Sequence, residues 1–117
     1  MDVQVRDAGT VKVIEVAGRV DWENARDLDI EITKLIRAGC RYVVVDINGV
    51  SFMCSGGIGT IVHNFSKLQK ARGAMYIISS TEYMEELFQT LKFHIVFAGY
   101  IYPTFESFKE KVLDHKS

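Results

Sequence analysis

The run Tyr42-Val43-Val44-Val45 is continuously apolar, and it stands between two stretches with helical periodicity. Upstream, Ala25, Leu28, Ile32, Leu35 and Ile36 recur at helical spacing until Gly39. Downstream, Ile58, Ile61, Val62, Phe65 and Leu68 share one face, with His63, Asn64, Ser66, Lys67 and Lys70 on the other, and Gly73 closes the run. A strand without polar alternation belongs in the middle of a sheet covered on both sides. Helices before and after such a strand imply parallel pairing through right-handed crossovers. This constrains the chain to the α/β class.

The rest of the chain fits that frame. Val3–Arg6 and Val11–Val16 largely alternate apolar with polar residues about Asp7-Ala8-Gly9-Thr10, which has hairpin-turn composition. An antiparallel opening pair is therefore expected. Asn24 is the expected N-cap of the first helix, with Asp27 in a capping-box-like position. Ala74–Ile78 reads as a further buried strand. Ser79-Ser80-Thr81 supplies the cap of a third helix with Tyr83, Met84, Leu87, Phe88 and Leu91 inward. Phe93–Tyr102 reads as an irregular turn and a short edge strand, and Thr104 caps a last helix carrying Phe105, Phe108 and Val112. The expectation is one domain over residues 1–117, β-β-α-β-α-β-α-β-α, with a mixed, mostly parallel sheet, an antiparallel first strand and about four helices.

Composition excludes several function classes. Net charge is −1 over 117 residues, with no basic excess suited to nucleic acid. Lys67, Lys70 and Arg72 read as the solvated face of a helix. No apolar run approaches a membrane span, and the N-terminus lacks signal-peptide regions. Two cysteines, Cys40 and Cys54, are too few for a disulfide framework. A reduced, cytoplasmic protein is expected. His63, His94 and His115 are far apart and unpaired with Cys, Asp or Glu at ligand spacing, so no metal or other cofactor is expected. Ser55 is not in a nucleophile elbow, and Gly56-Gly57-Ile58-Gly59 forms neither a dinucleotide fingerprint nor a P-loop. The chain reads as a non-enzyme.

The unusual choices concentrate in Asp46–Thr60. The apolar strand meets Asp46 and a polar turn, then Phe52 and Met53, then Cys54-Ser55-Gly56-Gly57 opening a helix. Unpaired N–H groups and the helix dipole favour a negative group there. An anion- or nucleotide-binding module is thus one reading. Cys54 is either a thiolate favoured by the helix start or a small buried side chain. Phe52 and Met53 sit in a connection, as does Trp22, and loops at the same sheet edge share a surface. Asp21, Trp22, Met53 and Ser55 would then form a docking face. The alternative is that Trp22 and Phe52 cap the core.

These residues resemble a known family, the STAS domain, and within it the SpoIIAA-like anti-sigma-factor antagonists. The family shows a strand ending in Asp, a turn, an apolar pair and Asp-Ser-Ser-Gly-Leu/Ile-Gly opening a helix. Val43–Ile61 follows that pattern except at Cys54 and Gly56. Gly18-Arg19-Val20-Asp21 matches the connection before the first helix, and Asn24-Ala25 stands where Thr-Ala is common. The Arg72-Gly73 step into the fourth strand also agrees.

The resemblance implies a switch. In such proteins the serine before Gly-Leu/Ile-Gly is phosphorylated by a serine kinase that is also the anti-sigma factor, and the phosphate breaks the complex by repulsion and desolvation. Here the family aspartate falls on Cys54, its first serine on Ser55 and its acceptor serine on Gly56. Three readings stand. Ser55 is a shifted acceptor; or Thr60 is one, about a turn into the helix; or the standard switch is lost, leaving a constitutive antagonist, a scaffold or a partner module in another signalling complex. We take loss as the leading reading. The expected partner surface is Asp21, Trp22, Phe52, Met53, Cys54, Ser55, Gly56 and Gly57. The expected partner is an anti-sigma factor, its kinase, or another signalling protein.

Overall fold

A computed structural model describes residues 1–114; His115 lies outside them. In chain order the elements are β1 (Asp2–Ala8), β2 (Val11–Val20), α1 (Ala25–Arg37), β3 (Tyr42–Met53), α2 (Ser55–Lys70) and β4 (Ala74–Ile78). Then follow α3 (Glu82–Thr90), α4 (Phe93–Val96), β5 (Ile101–Tyr102) and α5 (Phe105–Phe108), which continues as π-helical turns over Lys109–Leu113. The sheet order is β1-β2-β3-β4-β5, with β1 antiparallel to β2 and all other neighbours parallel. The α/β architecture is as expected, with five helices rather than four.

Alternation within the strands builds two cores. Val43 and Val45 pack with Leu28 and Ile32 of α1 and Ile58, Ile61, Phe65 and Leu68 of α2. Val44 points the other way and joins Val11, Val13, Ile78 and Phe108 of α5. A continuously apolar β3 is what a strand buried on both faces requires.

The polar segment after Asp46 is not a turn. β3 runs on to Met53 beside β2, absorbing two register shifts on the way. Between the pairs Glu15–Asp46 and Ala17–Gly49, β3 advances three residues against two of β2; between Gly18–Val50 and Arg19–Phe52 it again gains one. Such bulges bend and twist a strand. Asp46 Oδ1 accepts from Asn48 N at 3.0 Å. The Asn48 side chain accepts from Ser80 N at 2.7 Å and donates to Pro103 O at 3.1 Å. Gly49 is needed because a Cβ there would stand 2.9 Å from Cβ of Ala17. Turn-like composition here serves a tethered bulge.

Several local expectations need correction. Asn24 occupies the N-cap of α1, but its side chain does not cap the helix; it is taken by the preceding connection. Asn64, expected on the solvent face of α2, is fully buried. Its Nδ2 donates to Asp29 Oδ1 and to Thr60 O, each at 2.9 Å, pinning α2 to α1. Tyr83 and Leu91, expected inward, are exposed at 37% and 39%. Thr81 and Thr104 do cap α3 and α5, accepting from Met84 N and Ser107 N.

Candidate functional site

The bend in β3 delivers the start of α2 to the end of β2. Val20 pairs with Met53, and Cys54 N donates to Val20 O at 2.8 Å. Gly57 allows the contact: a Cβ there would lie 2.9 Å from both Met53 Cγ and Val20 Cγ1. α2 therefore starts directly on the strand ends, with Ser55 exposed at its first position. No side chain caps it, and its first turn holds no acidic residue.

The β2–α1 connection is built around Asp21. Its Oδ1 accepts from Glu23 N at 3.0 Å and Asn24 N at 3.1 Å. In return Asp21 N donates to Asn24 Oδ1 at 2.9 Å, and Asn24 Nδ2 donates to Arg19 O at 3.0 Å. This closed set of local bonds is the backbone-mimicking chemistry that Asp and Asn offer in turns. It fixes the turn that projects Trp22.

Trp22 is 72% exposed, yet one edge of its indole rests on α2. A Cβ on Gly56 would stand 2.7 Å from Trp22 Cζ3 and 3.0 Å from Cε3. The indole thus occupies the space into which a side chain at position 56 would grow. Asp21, Trp22, Ser55 and Gly56 do come together.

Other expected members do not join that surface. Met53 is 2% exposed and belongs to the core, as do Cys54 and Gly57. The strand continues through Met53 instead of opening into a loop, and alternation turns that side chain inward. Phe52 is half-buried, with the Arg19 guanidinium 4.3 Å from its ring centroid; it caps the edge of the core.

Two contributors escaped the sequence reading. The Tyr83 hydroxyl accepts from Met53 N at 3.1 Å, so α3 braces the backbone just before α2. Its amphipathic position made it look like core, and no local signal marks its hydroxyl partner. Arg19, inside the Gly18–Asp21 signature, covers Phe52; its basic charge next to an aromatic opposite in the sheet was the available clue.

Among the described residues no group of three or more His, Cys, Asp or Glu could hold a metal ion, and no helix is long and apolar enough to cross a membrane. The arrangement offers a partly apolar face with a serine at a helix start. It is suited to recognition.

Comparison with known proteins gives this geometry a context. An anti-sigma factor antagonist from Mycobacterium paratuberculosis superposes with a TM-score of 0.81 at 22% identity, over 90% of this chain and 87% of that one. The anti-sigma factor antagonist SpoIIAA in its unphosphorylated form matches at 0.72 and 20% identity, covering 97% and 96%. The murine solute carrier 26 family member A9 anion transporter matches at 0.63 and 14% identity, over 85% of this chain but 17% of that one. At these identities the likeness concerns the fold, and one fold serves different assemblies. The family match rests on the sequence itself: the STAS domain covers residues 2–110. That span includes the whole sheet, the Asp21 connection and the glycine-rich start of α2, and the chain belongs to the STAS domain family.

Proposed function

We propose that this STAS domain is a non-catalytic regulatory module, an anti-sigma-factor antagonist that docks on an anti-sigma factor or its serine kinase in the cytoplasm. The observation that carries the reading is the exposed Trp22 seated on the first turn of α2 beside Ser55 and Gly56. A large exposed aromatic side chain carried on a hydrogen-bonded turn has the character of a binding hot spot. The antagonists among its structural relatives supply the partner class.

Phosphorylation at the usual place is lost in this reading, because Gly56 stands where the family carries its acceptor and Trp22 fills the space beside it. The module then binds constitutively. Co-purification of partners from the native cell, compared between wild type and Trp22→Ala, tests the docking face. Retention of every partner by the variant sinks it.

A second reading is favoured by Ser55 alone, which is exposed at the first position of α2. As a shifted acceptor it would place phosphate at a helix start, where it is stabilised, and against the Trp22 face, where it would repel a partner. Intact mass after incubation with the partner kinase, with Ser55→Ala as control, decides it. An unmodified wild type removes this reading.

A further inference from the structure

The sheet ends differently at its two edges. β5 is two residues long, whereas β1 runs for seven with no strand beyond it among the described residues. Its outer side carries a row of backbone N–H and C=O groups with no ladder partner, the ordinary template for another strand. Charged side chains commonly guard such edges, so the order of the charges decides what the edge accepts.

Along β1 the side chains alternate between the two faces. Val3 packs on the core beneath α1 and α2, and Val5 follows it on that face, 46% exposed. Asp2, Gln4 and Arg6 point to the other face, where Arg6 lies 3.6 Å from Glu15 and 4.8 Å from the Phe105 ring centroid. A second β1 laid antiparallel with Gln4 opposite Gln4 sets each Asp2 against an Arg6 and each Val3 against a Val5. Both faces are then satisfied: two ion pairs on one, two apolar pairs covering Val5 on the other. Moving the centre to Val5 sets Val3 against Asp7, and moving it to Arg6 sets Arg6 against itself. Moving it to Val3 sets Asp2 against Gln4, so only the register about Gln4 sets Asp2 against Arg6. The Arg6–Glu15 pair does not block it, because a guanidinium has five N–H donors and this pair is long and solvent-exposed.

We infer that β1 is the seam of a homodimer, paired antiparallel about Gln4 with β1 of a second copy. The surface shares no residue with the Trp22–Gly56 face, so the dimer stands whether or not that face docks a partner. One pair of seven-residue strands buries far less than the roughly 1,600 Å² of a standard stable interface. The dimer is weak and concentration-dependent.

Sedimentation velocity from micromolar to millimolar protein tests it. Wild type shifts from monomer to dimer across that range. Arg6→Asp and Asp2→Arg each set like charges opposite one another, raising the dissociation constant about tenfold or more. An equimolar mixture of the two single variants restores association, because each Asp again meets an Arg, and so does the double variant. Melting temperatures near that of wild type confirm that these exposed substitutions leave the fold intact. A wild type that stays monomeric throughout overturns the inference. So does a dimer that ignores the single substitutions, or a mixture no more associated than its components.

Discussion

The indole of Trp22 lies against the α carbon of Gly56 so closely that a methyl group added to Gly56 would stand 2.7 Å from Cζ3. Trp22 and Gly56 are therefore a matched pair: one supplies bulk, the other its absence. A serine at position 56 and the present placement of Trp22 exclude each other.

Gly56→Ser separates the two. The ring is largely solvent-exposed and its χ angles are free to rotate away, so the cost to stability is small, about 1 kcal/mol or less. Tryptophan emission shifts to longer wavelength as the indole leaves α2, and Trp22 being the sole tryptophan makes the signal unambiguous. An unchanged spectrum would mean that the contact does not position the ring.

Gly57→Ala behaves differently, because the new methyl meets Met53 and Val20, both buried. Overpacking of this kind costs about 1–3 kcal/mol, offset in part by the better helix propensity of alanine. Urea denaturation of the two glycine variants side by side measures the contrast; equal midpoints would refute it.

Trp22→Ala and Met53→Asp divide docking from folding. Truncating Trp22 leaves the melting temperature nearly unchanged and weakens partner binding by about 2 kcal/mol or more, the scale of a hot spot. Met53→Asp places a carboxylate in the core and destabilises the fold by several kcal/mol. Circular dichroism and binding titrations on both variants distinguish the roles.

Asn64 is buried between α1 and α2, bonded through Nδ2 while its Oδ1 has no partner among the described residues. Asn64→Asp brings a second carboxylate against Asp29 in a dry site, so stability falls by several kcal/mol at neutral pH. The loss shrinks as the pH is lowered and the new carboxyl protonates. A pH series of thermal melts checks both the size and the direction.

Tyr76 titrates above the ordinary tyrosine range, first because it is partly buried and then because Tyr102, Tyr100 and Tyr42 lie near. A folded-state value above the unfolded one contributes stability that is whole below the unfolded value and lost as the pH rises through the folded one. Stability should therefore decline at alkaline pH from about 10 upward. Tyr76→Phe flattens part of that decline, read from melting temperature against pH together with phenolate absorbance.

Apart from the short α4, the order of elements, the sheet class, the caps at Thr81 and Thr104 and the glycine-rich helix start are determined by sequence alone, since they rest on local periodicity and on side chains that bond within a few residues. Asp21 with Trp22 and Ser55 with Gly56 could be placed at one end of the sheet for the same reason. Which side chains actually face outward was a tertiary decision. Asp46–Gly49 has the composition of a turn, and only pairing with β2, two register shifts and bonds from Asn48 to Ser80 and Pro103 keep it a strand. That continuation turns Met53 inward and leaves Trp22 as the exposed aromatic beside the start of α2. Burial of Asn64 depends likewise on Asp29, thirty-five residues away. Contacts between distant segments carry no periodic signature, so the Trp22–Gly56 pairing emerged only once the chain was folded.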